Sequence, residues 1–265
     1  ELVATSKLRR AREKVENSRP FYEIIGKAID SIEAASEVKG TVWAAPTQAK
    51  KPLYIVIAGD RGLAGGYNSN VAKLVLSSGF EKENVRLYTV GKKGADILSR
   101  KGYQIAENYS DVIEEPTFED AKRVGVRLLQ DYMNGEIGEI YVAYTEFKNT
   151  VVHIPKLVKL LPVDTAEMEE ETTESDAEKL TLMNFEPSEE EAISLLVPKY
   201  VTSILYGAFV EAVASENGAR MQAMDSATNN AEEIINDLEL KYNRARQGAI
   251  TQELTEIIAG AEAIG

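Results

Sequence analysis

The stretch NRARQGAITQELTEIIAGAEA, residues 243–263, closes a segment with helical periodicity that contains no proline from residue 199 to the end of the chain. Pro198 is predicted at the start of this helix, where a missing N–H costs little, and Gly260 at its end. A helix of about 60 residues is about 90 Å long at 1.5 Å per residue. A single domain made by this chain would be roughly half as wide. The helix is therefore expected to pair with another helix, to project outward, or both.

A second helical pattern lies at the other end of the chain, over residues 2–38, where seam residues alternate spacings of three and four. The C-terminal helix has the same spacing, with a one-residue phase shift at Ile250, and a separate apolar stripe precedes it. Heptad spacing is typical of coiled coils, and the position of the two segments at opposite ends favours an antiparallel pair. The N-terminal seam is Leu8, Ala11, Val15, Ser18, Tyr22, Ile25, Ile29 and Ile32, the C-terminal seam is Met221, Met224, Thr228, Ala231, Ile235, Leu238, Tyr242, Ala245 and Ala249, then Ile250, Leu254, Ile257 and Ala261, and the separate stripe is Val201, Leu205, Ala208 and Ala212.

Strands and helices alternate between the two terminal helices. Strands are predicted over 52–59, 85–91, 103–109, 139–147 and 150–161, and helices over 67–78, 94–100 and 118–133. Such alternation predicts a largely parallel sheet covered by helices. The predicted fold class is α/β, an antiparallel coiled coil of N- and C-terminal helices with an inserted Rossmann-like α/β domain. Its predicted parts are an N-terminal coiled-coil helix (1–40), an α/β foot domain (50–163), an acidic loop or insertion (164–192) and a C-terminal coiled-coil helix (198–260).

Composition excludes several classes of function. The 265 residues include no cysteine and one histidine, His153, so a zinc site or a Ser-His-Asp triad is hard to build. His153 lies in an apolar-rich stretch and is expected to be structural. Residues 164–191 hold twelve acidic residues against Lys179 alone, a net charge of −11 out of the −13 of the whole chain. An acidic chain argues against nucleic-acid binding, and the segment itself is expected to be a solvated loop, with recruitment of a basic partner as the alternative. The sequence contains no run of eighteen apolar residues, so no membrane span is predicted.

The one motif suggestive of small-molecule chemistry is GDRGLAGGYNSN, residues 59–70, which follows the first predicted strand and opens a helix. Phosphate-binding folds hold their ligand at such a turn. The spacing is not G-x-G-x-x-G, however, and the lysine and hydroxyl of a P-loop are missing. Gly65 and Gly66 are explained more simply by a tight strand-to-helix turn. No catalytic, cofactor-binding or metal-binding residue is predicted.

The amino-acid sequences of the two termini resemble those of a known family. SENGARMQAMDSATNNAEEIINDLELKYNRARQGAITQELTEIIAGAEA (215–263) is similar to the C-terminal helix of the gamma subunits of F-type ATP synthases. LVATSKLRRARE (2–13) resembles the N-terminal helix of that family, and the 59–70 motif resembles its first strand-turn-helix. The resemblance extends over essentially the whole chain in the same order.

The resemblance implies a non-catalytic rotor subunit without a cofactor. The coiled coil would be a shaft inside a ring of alternating alpha and beta subunits, and the α/β domain a foot that contacts the epsilon subunit and the membrane c-ring. Rotation driven by ion flow would then force the catalytic sites of beta through successive conformations. The implied location is peripheral, on the cytoplasmic face of a bacterial cell membrane. The positions expected to engage beta are Arg246, Gln247, Thr251 and Glu253 on the C-terminal helix and Ser6, Lys7 and Arg9 on the N-terminal helix.

Two other functions remain open at this point. The heptads alone would equally suit a static coiled-coil scaffold or tether, and the 59–66 turn would suit a small-molecule enzyme. Assembly with alpha and beta subunits favours the rotor, whereas tight ATP or NAD binding by the isolated chain favours the enzyme. Each proposed contact residue also has an alternative interpretation as an ordinary exposed helical residue.

Overall fold

The computed structural model describes residues 6–18, 20, 24, 43, 51–79, 81–162 and 189–265. Most of the predicted acidic insertion (residues 164–188) and most of the N-terminal helix after residue 18 lie outside the described residues, whereas residues 189–192, predicted as the end of that insertion, are helical. The chain divides into two compact units, Glu1–Gln222 and Ala223–Gly265. The first unit contains the sheet and all its covering helices, and the second is the end of the long C-terminal helix.

Five strands form one sheet in the order β3-β2-β1-β4-β5. The first four are parallel and β5 runs antiparallel to β4, so the predicted, largely parallel sheet is confirmed. Most predicted strands and helices are found within a few residues of their expected ends. The strands are β1 (Pro52–Ile57), β2 (Arg86–Val90), β3 (Ile105–Asn108), β4 (Glu139–Phe147) and β5 (His153–Leu161), and the helices are α1 (6–18), α2 (Tyr67–Leu76), α3 (Lys92–Arg100), α4 (Phe118–Met133) and α5 (Glu189–Glu262), with a short 3-10 helix at Lys82–Asn84.

Strand β1 is completely buried because helices cover both faces of the sheet. Alternate residues of a strand point to opposite faces. Leu53, Ile55 and Ile57 pack with α4 and α5 on one face. Tyr54 and Val56 pack with α2 and α3 on the other. This three-layer arrangement accounts for the continuous apolar sequence of the strand.

Helix α4 begins at the predicted residue because its N-terminus is capped locally. The Thr117 hydroxyl accepts a hydrogen bond from the Asp120 N–H at 3.2 Å, and the Asp120 carboxylate accepts one from the Thr117 N–H at 3.1 Å. This reciprocal pair satisfies two backbone donors that the first turn would leave free.

Helix α5 starts earlier than predicted, and Pro198 lies inside it rather than at its first turn. A proline inside a helix lacks an N–H donor and crowds the carbonyl of the residue four positions before it. Leu196 and Val197 nevertheless pack in the core cluster, which favours the helical turn before Pro198. The Thr202 hydroxyl donates to the Pro198 carbonyl at 2.7 Å and the Ser203 hydroxyl to the Lys199 carbonyl at 2.7 Å. These bonds to its own backbone satisfy buried hydroxyls within the helix. The helix ends at Glu262, two residues past the predicted Gly260.

The separate stripe in the first part of α5 faces the sheet. Val201, Leu205, Ala208 and Ala212 are buried in the same core cluster as β1 and α4. By length and composition α5 contains a window suited to a membrane span, but 61% of that window is buried inside the protein. The apolar character of this window is explained by the part of α5 that packs on the sheet.

Helix α1 packs against α5 through its predicted seam residues, but its main partners on α5 lie before the predicted C-terminal seam, which begins at Met221. Leu8, Ala11 and Val15 are buried with Val210 and Ala214 of α5, and Met221 packs partly against the same cluster. The later seam residues of the N-terminal helix, Tyr22, Ile25, Ile29 and Ile32, lie outside the described residues.

Candidate partner-binding surface

The second unit, residues 223–265, is a helix whose side chains are nearly all exposed. At 1.5 Å per residue its helical part is about 60 Å long. Large apolar side chains are normally scattered singly on a surface, and a series of them indicates a binding surface. Ten of them are exposed here: Ile234, Ile235, Leu238, Leu240, Tyr242, Ile250, Leu254, Ile257, Ile258 and Ile264.

Six of these ten apolar residues follow two stripes that face different directions. With about 100° of rotation per residue, Ile235, Leu238 and Tyr242 share one side of the helix. Ile250, Leu254 and Ile257 lie on a side rotated by roughly 100° from the first, because the spacing shifts by one residue between them. A single straight partner helix would cover one stripe only. The two stripes therefore suit two different partners or partner segments.

The four C-terminal residues predicted to contact a partner border the second stripe. Arg246 and Glu253 lie on one side of Ile250 and Ile257, whereas Gln247 and Thr251 lie beyond Leu254 on the other. All four are exposed. Thr251 donates its hydroxyl to the Gln247 carbonyl at 2.8 Å, a bond within the helix. In the described part of the chain Arg246 and Glu253 have no ion-pair partner, so their charges are available to another molecule.

Ser6, Lys7 and Arg9 lie on α1, in the first unit, and are exposed around the buried Leu8. Arg9 is 3.9 Å from Glu13, with both side chains largely in solvent. An exposed i,i+4 pair of this kind contributes little to stability. These residues therefore remain available for an intermolecular contact.

The glycine-rich turn after β1 is filled by the chain itself. A Cβ on Gly59 would lie 2.5 Å from a carboxylate oxygen of Glu216 in α5, so the absence of a side chain at Gly59 lets this carboxylate in. Glu216 is buried and paired with Arg220. The Gly59 N–H, a group that would bind phosphate in a nucleotide site, donates instead to the Asn68 amide oxygen at 2.8 Å.

A second contact, between α2 and α5, lies beside the turn after β1. Tyr67, the first residue of α2, donates its hydroxyl to the Ala212 carbonyl of α5 at 3.0 Å. Burial raises the pKa of Tyr67 well above its ordinary value, and the negative charge of Glu216 raises it further. Tyr67 therefore remains a neutral donor. An anionic ligand would have to displace a buried carboxylate here, which argues against the small-molecule enzyme.

His153, the first residue of β5, packs beside Phe147 with ring centroids 6.1 Å apart. Its pKa is lowered by desolvation, which favours the neutral ring. Among the described residues no group of three or more histidine, aspartate and glutamate side chains is arranged to hold a metal ion.

Comparison with known proteins identifies the family. The family model described as ATP synthase matches residues 1–264. The chain is 54% identical over 266 residues to the ATP synthase gamma chain of Lachnoclostridium phytofermentans, covering 99% of this chain and 91% of that one. The chain belongs to the ATP synthase gamma chain family. It is also 43% identical over 276 residues to the sodium-ion-specific ATP synthase gamma chain of Acetobacterium woodii, covering 100% of this chain and 91% of the relative.

Solved structures support the same family assignment. A chain from the central stalk and c-ring structure of Tetrahymena thermophila mitochondrial ATP synthase matches with a TM-score of 0.64 at 25% identity, over 86% of this chain and 96% of that one. A chain of Euglena gracilis mitochondrial ATP synthase has the same fold, with a TM-score of 0.61 over 98% of this chain and 95% of that one. The predicted α/β fold class is thus confirmed, because the fold matches those of solved ATP synthase structures.

The residues that join α5 to the sheet in this gamma-chain family member carry no recognisable motif for this contact. They are Glu216, Ser215 and Tyr67. The stripe at Val201–Ala212 was visible in the sequence, and its buried helical spacing was the available signal that α5 packs on the sheet.

Proposed function

We propose that the chain is the rotor, or central-stalk subunit, of an F-type ATP synthase. In this role it couples ion-driven rotation of a membrane c-ring to the conformational cycle of catalytic beta subunits. The observation that carries the proposal is the helical end at 223–265, which exposes ten large apolar side chains. Burial of such side chains contributes about 1.5–3 kcal/mol each. A helix of this composition is therefore expected to be enclosed by other subunits when it works.

The partners follow from the family. The C-terminal end would lie within a ring of alpha and beta subunits, and the foot would contact the epsilon subunit and the c-ring. We propose the functional division predicted from the sequence, with coiled-coil helices at 1–40 and 198–260, a foot at 50–163 and an acidic insertion at 164–192, the last residues of which already belong to α5. The complex would be attached peripherally at the cytoplasmic face of a bacterial cell membrane. The residues proposed to engage beta are Ser6, Lys7, Arg9, Arg246, Gln247, Thr251 and Glu253.

We further propose that the chain itself is not catalytic and binds no nucleotide. The support is the Glu216 carboxylate against Gly59, at the turn where a phosphate would otherwise bind. Isothermal titration of the isolated chain with ATP and with NAD is expected to show no binding. Micromolar binding of either would contradict this part of the proposal.

The rotor role is tested by assembly and reversible crosslinking. Because the sequence contains no cysteine, one cysteine introduced on the exposed surface of the foot and one on a c subunit would form a single defined disulfide. A second such pair joins 223–265 to a beta subunit. The foot-to-c-ring bond is expected to leave ion-coupled turnover intact, because both parts turn together. The bond to beta is expected to abolish ATP turnover until the disulfide is reduced.

The static-scaffold alternative predicts a different result. A static scaffold would assemble with its partners but keep full ATP turnover when crosslinked to beta. Failure of the chain to assemble with coexpressed alpha and beta subunits would refute the rotor proposal outright.

A further inference from the structure

A short part of α5, residues 211–218, makes most of the directional contacts between that helix and the sheet. The Ser215 hydroxyl donates to the Thr145 carbonyl of β4 at 3.0 Å. The Phe147 N–H, at the end of β4, donates to the Glu211 carboxylate at 3.4 Å. These bonds join groups 70 and 64 residues apart in the chain.

The same part of α5 is held by the other neighbouring elements. Tyr67 of α2 donates to Ala212, and the turn after β1 receives the Glu216 carboxylate. Gly218 passes so close to the His153 ring of β5 that an added Cβ would collide with the ring nitrogen. Val210 and Ala214 pack on α1.

These contacts lie on several sides of the helix. At 100° per residue, the positions from Val210 to Gly218 that are in contact cover about 240° of the helix circumference. Apolar helix packing alone is not directional, since the hydrophobic effect depends on area. The hydrogen bonds to Thr145, Phe147 and Tyr67 have defined partners outside α5 and would be broken by rotation of α5 about its own axis or by sliding along it. The Glu216 carboxylate pairs with Arg220 of the same helix, so rotation would only move it out of the space at Gly59. A buried polar group left without its partner costs about 1–3 kcal/mol.

We propose that residues 211–218 are a torsional joint, the collar, which fixes the rotational position of α5 on the sheet. This inference rests on the proposed rotor function for its physiological meaning: the collar would transmit torque between the foot and the helix. Glu216, Ser215 and Tyr67 are positioning residues in this joint. They touch no substrate and act through the orientation of α5.

Two substitutions are expected to weaken the collar, and each has a matched control. Gly59→Ala places a methyl group at the site of the Glu216 carboxylate, which can leave because it is the flexible end of a side chain. Gly62→Ala is its control, since it lies in the same turn with nothing within 4 Å. Ser215→Ala removes a bond to β4, whereas the control Ser203→Ala removes a hydroxyl, equally buried in α5, that bonds only to its own helix.

The first measurement uses the full chain alone. Spin labels on cysteines at Lys73 in α2 and Gln222 in α5, both exposed, report the distance between the sheet layer and α5 by pulsed electron resonance. The Gly59→Ala/Ser215→Ala variant is expected to broaden the distance distribution at least twofold, and Gly62→Ala/Ser203→Ala to leave it unchanged. Equal widths in both variants would overturn the collar, even if the first variant unfolds at lower urea concentration.

The second measurement uses the assembled complex. When the catalytic ring is stalled, the angular variance of a probe on the foot is expected to be at least twofold larger in the Gly59→Ala/Ser215→Ala variant than in the wild type. In the same variant, ATP-driven ion pumping is expected to fall while the rate of ATP hydrolysis stays unchanged. Unchanged variance and pumping would refute torque transmission through the collar. A wild-type chain that fails to assemble would refute the rotor function, while the spin-label distances still decide whether the collar exists.

Discussion

At the scale of single residues, a buried carboxylate organises the contact between strand β2 and helix α4. Asp131 of α4 is 1% exposed and lies 3.1 Å from Arg86 and 3.6 Å from Arg127. It also accepts a hydrogen bond from the Tyr88 hydroxyl. Burial, followed by the bond to Asp131, raises the pKa of Tyr88, so the phenol remains a donor at any physiological pH. Asp131 thus joins β2 to α4 through charge and hydrogen bonding together.

Asp131→Ala is expected to lower the free energy of unfolding by about 1–3 kcal/mol, because it leaves the buried Tyr88 hydroxyl without its acceptor while Arg86 keeps its ion pair with Glu136. Trp43 reports the transition: it is the one tryptophan in the sequence and stacks on Tyr132 at 6.2 Å. Urea titration followed by its fluorescence measures the change. Asp111→Ala, which breaks an exposed pair with Arg123 at 2.7 Å, is the control and should cost about 0.2–1 kcal/mol. Equal losses in the two variants would contradict the role given to Asp131.

His153 predicts a pH dependence of stability. Desolvation lowers its pKa in the folded state below the unfolded value of about 6.5. The unfolded chain therefore binds more protons between the two pKa values, so stability rises with pH through this window and is lost as pH falls below about 6.5. His153→Gln is expected to reduce the loss of unfolding free energy between pH 7.5 and 5.5. No other histidine occurs in the sequence, so an unchanged pH profile in the variant would show that burial of His153 has no such effect.

At the scale of secondary-structure elements, the sequence predicts best where the determining interactions are local. The bounds of α4 follow from the Thr117–Asp120 cap and its apolar periodicity. The predicted start of α5 at Pro198 is wrong because the core packing of Leu196 and Val197 favours a helix that begins before the proline. The attachment of α5 to the sheet escaped prediction because its bonds, such as Tyr67 to Ala212, join residues 145 positions apart. Long-range geometry of this kind has no local pattern in the sequence.

The exposed end of α5 contains a weak point at Gly248, which has nothing within 4 Å of an added Cβ. Gly248→Ala is expected to stabilise the helix there by about 1 kcal/mol, because alanine has the higher helix propensity. Hydrogen exchange of residues 244–252 should slow by roughly fivefold, which corresponds to that energy. Gly260→Ala is a matched control near the frayed end and should have a smaller effect. Faster exchange in Gly248→Ala would contradict this account.

At the scale of the whole molecule, the two units have different requirements. The first unit, Glu1–Gln222, buries most of its large apolar residues in its own core clusters, whereas the second leaves two stripes of them in solvent. Family membership explains why a stable chain would retain such a surface: its partners supply the missing burial. The predicted contact residues are therefore tested in the assembled complex, where this burial exists.

Arg246→Ala and Gln247→Ala are each expected to lower ATP turnover of the assembled complex severalfold without unfolding the chain. The reason is that both side chains border the exposed stripe at Ile250 and Leu254, where truncation of a polar contact removes an oriented interaction with the surrounding subunits. Gln252→Ala is the control, since Gln252 is equally exposed but lies about 140° around the helix from Gln247 and bonds to Glu256 at 2.9 Å. Steady-state ATP hydrolysis measures turnover, and circular dichroism of the free chain measures folding. Wild-type turnover in both variants would refute the assignment of these positions, and an equal loss in Gln252→Ala would show that the effect is not specific to one face of the helix.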